Sequence, residues 1–187
     1  IRRQRQMCIR DREKYLSCGI KLRVENSNNH YDYNKYESLR MEIWKDRGDH
    51  LSSSRNLMCE VKTGGSILIG AFKDGLLVGF SYGWFCIKGK SSIEFYSQYN
   101  AVKESFRGLG IGIELKKFQK DVILDRGVNK ITCTYDPLTG QNAYRNVALL
   151  GMEILKYEVD LYKGFRGKLN KKSVPSDRFS AVWFLSL

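Results

Sequence analysis

A basic loop punctuated by glycines constrains this 187-residue chain more than any other feature. Gly108, Gly110 and Gly112 alternate with other residues, so the backbone can turn tightly and present its N–H groups to a ligand. The loop follows a strand-like run, residues 93–102, and Arg107 adds a guanidinium that can hold an anion through two hydrogen bonds. The sequence therefore predicts an anion-binding turn after a strand.

An amphipathic helix follows the loop directly. Its apolar residues recur at helical spacing, at Ile111, Leu115, Phe118 and Val122. We expect the charged residues of this segment to lie outside that apolar face: Glu114, Lys116, Lys117 and Lys120. Gly127 provides a left-handed stop. Because the helix N-terminus then points at the loop, its free amides and its dipole favour a phosphate there.

Two other phosphate-binding motifs do not match this loop. A dinucleotide-binding fingerprint needs a later third glycine and an acidic residue after the next strand, and a P-loop needs Gly-Lys followed by Ser or Thr. The chain has neither pattern. A glycine-rich turn without a ligand is the alternative that the loop alone leaves open.

Length and charge narrow the class of protein. The chain is long enough for one sizeable core and too short to suggest two ordinary domains. Its formal net charge of +12 favours anionic partners, among them acidic small molecules, acidic proteins and nucleic acid. A basic surface that serves only solubility is the simpler alternative.

The cysteine pattern and the hydropathy indicate the cellular compartment of the protein. Five cysteines are scattered without a CxxC pair, and only two histidines accompany them, which argues against a zinc site and against a disulfide framework. No apolar run approaches the length of a membrane span, and the basic N-terminus lacks the apolar core of a signal peptide. We therefore expect a cytoplasmic protein without a metal.

The order of elements predicts the fold class. Residues 1–19 read as a basic arm or surface helix, and residues 20–187 as a single domain. Periodicity and turn signals predict strands at 20–24, 66–72, 77–86, 91–102, 129–135, 152–161 and 178–187, helices at 33–45, after the glycine loop and at 140–150, and a loop at 49–56. Hairpins combined with a strand–helix–strand crossover imply an α/β (α+β) fold with a mixed sheet and helices on both faces.

The strand before the loop is unusually polar on one side. Its even positions carry Glu94, Tyr96, Gln98 and Asn100, which either face water or line a cleft. The preceding strand has Gly79 and Gly83 among large aromatic residues. These glycines permit a bend or a close approach of two backbones, and a simple packing role is the alternative.

The spacing Arg107-x-x-Gly110-x-Gly112 resembles the pyrophosphate loop of the GNAT superfamily, acyltransferases that use acetyl-CoA and related thioesters. Asn142-Ala143 followed by Gly151-Met152 resembles a later motif of the same family, in which an asparagine opens a helix that ends at a glycine. Further segments resemble one GNAT subgroup of predicted acetyltransferases with unknown acceptors: Ile43-Trp44, Thr63-Gly64-Gly65, Tyr135-Asp136-Pro137-Leu138, Gln141-Asn142-Ala143 and Pro175-Ser176-Asp177-Arg178. The resemblance covers about residues 20 to 187.

This resemblance implies a mostly antiparallel twisted sheet of about seven strands in which 94–102 splays away from 129–135. It also implies acetyl-CoA as cosubstrate, with the pyrophosphate held by six residues: Arg107, Gly108, Leu109, Gly110, Ile111 and Gly112. Main-chain N–H groups near Ala101 and Val102 would polarise the thioester carbonyl, and Asn142 would contact the pantetheine or the thiol side of CoA.

One departure from the family pattern concerns the catalytic acid. Many members carry a tyrosine four residues before the glycine at 151, where this chain has Val147. Tyr144, nearly one turn earlier on the same helix, is a substitute for the acid, and Tyr135 or Asp136 is another, although each also has an ordinary packing or turn-capping role. Glu94 is the candidate general base, and capping of an exposed strand end is its alternative role.

The sequence therefore predicts an N-acyltransferase that acts on a small-molecule or protein amine. A GNAT-fold CoA-binding or regulatory module without catalysis is the second hypothesis, and a nucleic-acid-binding protein is the third, which lacks a recognised stacking or helix-turn-helix pattern. No role at a membrane is expected. The oligomeric state stays open, and the β-run at the C-terminus would allow pairing in a homodimer.

Overall fold

The computed structural model describes residues 12–45, 52–163 and 175–185. These residues form one eight-stranded sheet with the order β1-β2-β3-β4-β5-β6-β8-β7. The strands are β1 (Glu13–Tyr15), β2 (Lys21–Val24), β3 (Ser66–Lys73), β4 (Leu76–Lys88), β5 (Ser92–Val102), β6 (Lys130–Tyr135), β7 (Glu153–Glu158) and β8 (Arg178–Phe184). Neighbouring strands are antiparallel except for the parallel pair β5 and β6. The predicted mixed, mostly antiparallel sheet is confirmed.

The strand that the sequence did not predict is β1. It lies within the segment that was predicted as an arm or helix, and it pairs with β2, with Glu13 opposite Arg23. The strand has only three residues, and an alternation of exposed and half-buried positions over three residues is too short to identify a strand from sequence. Residues 1–11 of the predicted arm lie outside the described residues, and the division of the chain near residue 19 stays a prediction.

The helices in the described ranges are α1 (Asn34–Trp44), α2 (Ser54–Thr63), α3 (Ile111–Leu124) and α4 (Gly140–Ala143), and α4 continues into a π-helical segment, Tyr144–Leu149. Two 3-10 turns, His30–Tyr33 and Glu104–Phe106, accompany them. The loop prediction at 49–56 is wrong at its end, because α2 begins there with Ser53 as its cap: the Ser53 hydroxyl accepts from the Asn56 amide. None of these helices combines the length and the apolarity needed to cross a bilayer.

Each face of the sheet carries its own core, so the predicted helices on both faces are confirmed. On one face, which we call the α3 face, α3 packs over Phe95 and Ile131. On the other, which we call the α1/α2 face, those two helices pack over Phe80 and Tyr99. The sheet is therefore buried on both sides at its centre, where β4, β5 and β6 meet.

β3 and β4 form a hairpin with a two-residue turn. Asp74 and Gly75 have φ values of +49° and +84°, as a turn that follows the strand twist requires. The four cysteines in the described ranges are free thiols: Cys18, Cys59, Cys86 and Cys133.

Candidate active site

A gap opens between the two parallel strands at the centre of the sheet. β5 and β6 are paired at only two positions, Phe95 with Ile131 and Tyr96 with Thr132. Beyond them β5 stays with β4 as far as Val102, while β6 stays with β8 as far as Tyr135. The predicted splay of these two strands is therefore confirmed, and its closed end lies just before Ser97.

A β-bulge turns β5 over at the start of the gap. Tyr82 lies opposite Tyr99, but the next residue of β4, Gly83, lies opposite Ser97, so Gln98 is the extra residue. One extra residue exchanges the two faces for everything that follows it, because side chains alternate with a period of two.

The bulge separates polar residues that were predicted to share one side. Tyr96 lies on the α1/α2 face, where its ring packs on Trp84 at 5.2 Å between centroids, and Glu94 is on the same side. Asn100 instead faces α3, and its Nδ2 donates to the Gly112 carbonyl at 2.9 Å. The prediction of a single polar side is therefore wrong beyond Gln98.

Close approach of β4 and β5 explains the two glycines of β4. A Cβ on Gly83 would lie 2.2 Å from the Tyr96 carbonyl oxygen, and one on Gly79 would lie 2.8 Å from that of Ala101. Neither distance is compatible with a side chain. The close-approach alternative for these glycines is confirmed.

The register of β5 decides which amides face the gap. Lys103 donates its N–H to the Val78 carbonyl of β4 at 2.8 Å, and antiparallel amides alternate in direction. The Ala101 amide is therefore directed at β4, while the amides of Asn100 and Val102 are directed at the gap. Of the two residues named in the prediction, Val102 directs its amide at the gap and Ala101 does not; that either amide polarises a carbonyl stays a prediction.

The glycine loop forms the open end of the gap. Gly108 and Gly110 have φ values of +81° and +74°, and a Cβ at either position would meet no atom within 4 Å. The amides of residues 108–112 make no hydrogen bond within the described residues. Arg107 is exposed beside them, and its Nε donates to the Val102 carbonyl at 3.3 Å. The loop thus presents five consecutive free amides and a guanidinium at the start of a 14-residue helix.

Two buried polar atoms without partners flank the gap next to the loop. The Asn100 Oδ1 atom and the Arg145 Nε atom have no hydrogen-bond partner among the described residues. Both side chains approach Gly112, whose added Cβ would lie 3.7 Å from Asn100 Nδ2 and 3.8 Å from Arg145 Nη1. Arg145 also donates to the Asn142 Oδ1 atom at 2.6 Å. An unpaired acceptor and an unpaired donor are what a ligand with amide groups would satisfy.

A buried chain of hydrogen bonds runs under the gap on the α3 face. Lys116 Nζ donates to Ser97 Oγ at 2.5 Å, Ser97 Oγ donates to Gln119 Oε1 at 2.8 Å, and Gln119 Nε2 donates to Ser81 Oγ at 2.8 Å. The chain ends on the Tyr99 carbonyl, which accepts from Ser81 at 3.3 Å.

The expectation that Lys116 lies outside the buried face of the helix is wrong, because its side chain reaches a polar partner on β5 and is only 3% exposed. Burial lowers the pKa of Lys116 to about 8; the Cys133 thiol opposes the decrease and the Arg145 guanidinium adds to it. Burial also raises the pKa of the Cys133 thiol.

Hydroxyl groups line the gap on the α1/α2 face. The Tyr96 hydroxyl lies 3.1 Å from Thr134 Oγ1, which lies 3.1 Å from the Tyr162 hydroxyl. Burial raises the pKa of Tyr96 to about 12, so this tyrosine is protonated at neutral pH. Glu94, two residues before Tyr96, accepts a hydrogen bond from Lys130 Nζ at 2.5 Å within an ion pair. The candidate base is thus held by a cation.

The candidate acids differ in how they are used. Asp136 caps its turn by accepting from the Leu138 amide at 2.8 Å, and Tyr135 packs its ring on Phe179. Tyr144 is 63% exposed, in the π-helical segment that also contains Val147. Tyr144 is therefore the one of the three acid candidates whose side chain projects into solvent.

Sequence reasoning did not single out five residues of this site: Lys116, Gln119, Thr134, Arg145 and Tyr162. A signal existed for two of them. Lys116 and Gln119 are three residues apart on the helix, and Gln119 lies one turn after the buried Leu115, so a buried polar pair could have been inferred from spacing. The other three depend on contacts between distant segments.

No family model matches the chain, and no curated protein matches it. Solved structures do resemble it. A chain of a NatC complex bound to Gag peptide and CoA has a TM-score of 0.70 and 14% identity, over 89% of this chain and 99% of that one. The ribosomal-protein-S18-alanine N-acetyltransferase of Escherichia coli has a TM-score of 0.67 and 11% identity, over 89% and 95%. Arabidopsis thaliana Naa50, in complex with the bisubstrate analogue CoA-Ac-MVNAL, has a TM-score of 0.63 and 14% identity, over 86% and 97%.

These similarities, taken with the splayed parallel pair, define the class of fold. The protein is an α/β protein built on one mixed sheet that opens at its centre. That fold is the GNAT fold, which the resemblance of the sequence implied.

Proposed function

We propose that the protein is an N-acyltransferase that moves an acetyl group from acetyl-CoA to an amine by direct attack on the thioester. The observation that carries the proposal is the order of groups along one gap. Free amides and Arg107 stand at its open end, and the unpaired atoms of Asn100 and Arg145 stand on its walls. CoA presents its parts in the same order, a pyrophosphate followed by an arm with amide groups.

The residues of the loop would hold the pyrophosphate through their amides, with Arg107 adding charge. The arm would then lie between β5 and β6, where the amides of Val102 and Asn100 are directed at it. Asn142, held by Arg145, would border the far side of the arm. The backbone supplies most of these contacts, so substitutions that fill space should disturb binding more than substitutions that remove one side chain.

Transfer requires a neutral amine on the α1/α2 face and a route for its proton. The hydroxyls of Tyr96, Thr134 and Tyr162 stand there in one hydrogen-bonded line. Glu94 remains the candidate base; its backbone position is roughly 7 Å along the strand from that of Tyr96. Tyr144 remains the candidate acid for the leaving sulfur.

A CoA-binding module without catalysis is the second candidate function, and specific observations favour it. Glu94 is engaged by Lys130, and the residue at the family's acid position is Val147. A panel of small-molecule and peptide amines with acetyl-CoA separates the two functions, because only an enzyme acylates an amine faster than the uncatalysed reaction. We further propose a cytoplasmic location, which rests on the free thiols.

Titration calorimetry tests the binding site directly. CoA is titrated into the native protein, Gly110→Trp and Gly127→Trp. The two glycines form a matched pair at opposite ends of α3, with φ values of +74° and +76° and no atom within 4 Å of an added Cβ. Both variants carry the same backbone strain, but only Gly110→Trp fills the loop. We expect CoA binding to survive in Gly127→Trp and to be lost in Gly110→Trp; equal binding by both variants contradicts the assignment.

A further inference from the structure

The Lys116 ammonium lies at the closed end of the gap. Its Nζ donates to Ser97, which is the first residue of β5 after the pairing with β6 ends. Cys133, whose buried thiol faces Lys116, is the first residue of β6 after the same pairing ends. The amine is therefore placed where the two strands begin to separate.

No anion offsets this charge. Among the described residues no carboxylate forms an ion pair with Lys116, and the titratable groups that face it are the Cys133 thiol on β6 and the Arg145 guanidinium on the π-helical segment. Its remaining neighbours, Ser97 on β5 and Gln119 on α3, are neutral. A buried cation next to a second cation is unfavourable unless a negatively charged group joins it. The arrangement is suited to an anion that enters with a ligand.

The depth of the gap identifies which part of CoA would reach this amine. Val102, at the loop, lies five residue steps from Ser97, a distance of roughly 16 Å along a strand. The arm that joins the pyrophosphate of CoA to its sulfur is comparable to four peptide units, roughly 14 Å when extended. If the arm begins at the glycine loop, the sulfur at its other end therefore lies near Lys116.

Building on the proposed function, we propose that the Lys116 ammonium pairs with the sulfur of CoA and protonates it as it leaves. The acceptor nitrogen bonds to the thioester carbon, the carbon–sulfur bond breaks, and its electron pair goes to sulfur. Lys116 gives the sulfur one proton and becomes neutral. The new amide loses one proton on the α1/α2 face, and solvent restores the proton of Lys116 after CoA departs. Lys116 would thus act as the acid in place of the family's tyrosine, whose position is occupied here by Val147. Tyr144 is then not required as the acid.

The proposal is tested with CoA and desulfo-CoA, which lacks only the sulfur, against the native protein, Lys116→Met and Lys117→Met. Lys117→Met is the matched control, because this substitution removes the same charge from an exposed position one residue later. We expect Lys116→Met to weaken CoA binding about tenfold near pH 8 and to leave desulfo-CoA binding unchanged. Lys117→Met should change the affinities for CoA and desulfo-CoA by the same factor. Ultraviolet titration should show the thiolate of bound CoA at lower pH in the native protein than in Lys116→Met.

The outcomes separate this inference from the proposed function. If the native protein binds neither ligand, the CoA site itself is wrong. If it binds both, but Lys116→Met weakens them equally or leaves the thiolate titration unchanged, the CoA site stands and the role of Lys116 is overturned. A loss confined to CoA supports the role, and a merely structural lysine would not produce it.

Discussion

Replacing Lys116 by methionine should make the protein more stable at neutral pH, although it removes a hydrogen bond. The buried amine has a pKa of about 8 in the folded protein against an ordinary value of 10.5, a difference that corresponds to about 3 kcal/mol. Because the folded-state value is the lower one, the buried charge destabilises the protein fully below pH 8. The lost hydrogen bond to Ser97 costs about 1 kcal/mol. The net expectation is a gain of about 2 kcal/mol, or roughly 4–8 °C in Tm for a chain of this size.

The pH dependence separates this explanation from ordinary changes in packing. As pH rises from 8 to 10.5, the unfolded chain keeps a proton that the folded protein has already released, so the penalty on the native protein disappears. The advantage of Lys116→Met should therefore shrink over that interval and reverse to a deficit of about 1 kcal/mol above it.

Urea unfolding of the native protein, Lys116→Met and Lys117→Met at several pH values measures this difference. The exposed Lys117 should change the free energy of unfolding by less than about 0.5 kcal/mol throughout. The reasoning is refuted if Lys116→Met destabilises the protein at pH 7, or if its effect is independent of pH.

Three further perturbations test the site and its frame. Gly83→Ala should destabilise the protein by about 1–3 kcal/mol in denaturant unfolding, because its Cβ would lie 2.2 Å from a carbonyl oxygen. The control Gly140→Ala should be neutral, because an added Cβ there meets no atom within 4 Å. Equal effects of the two substitutions would contradict the close approach of the strands at Gly83. Tyr96→Phe should lower kcat for amine acetylation by about tenfold or more while CoA affinity in calorimetry is retained; an unchanged kcat would exclude the hydroxyl line from the reaction. Glu94→Gln should lower kcat less than Tyr96→Phe, since Lys130 already neutralises the carboxylate, and a larger loss would establish Glu94 as the base.

Much of the fold could be predicted from local signals. The hairpin at Asp74 and Gly75, the helix after the glycine loop and the parallel crossover all follow from turn chemistry and periodicity, which act over a few residues. β1 could not be predicted, because three residues carry no periodic signal and its partner is set by the tertiary fold. The start of α2 was missed because its serine cap stands in a polar run that reads as a loop.

In the site, too, features set by local sequence could be predicted, and features set by contacts between distant segments could not. The turn conformation of the glycine loop could be predicted, because glycine spacing reports backbone conformation directly. The two faces of β5 were assigned wrongly beyond Gln98, because a bulge is fixed by pairing with β4 and no residue type marks it. One undetected residue moved Asn100 from the α1/α2 face to the α3 face, and with it the identity of the residues that line the gap.

Several groups that are unfavourable for the stability of the unliganded protein lie at the same gap. Lys116 is a buried cation without an anion, Asn100 and Arg145 keep unpaired polar atoms, and the amides of the loop have no acceptors among the described residues. The three buried side chains carry a cost in free energy, and a chain selected for stability alone would replace them with apolar ones. A single ligand with a diphosphate, an amide-bearing arm and a sulfur that becomes negative would satisfy all of them, from the loop to the closed end. Under the proposed function, binding of CoA would offset the cost of the unliganded protein, and the errors in reading Lys116 and Asn100 from the sequence fall at this site.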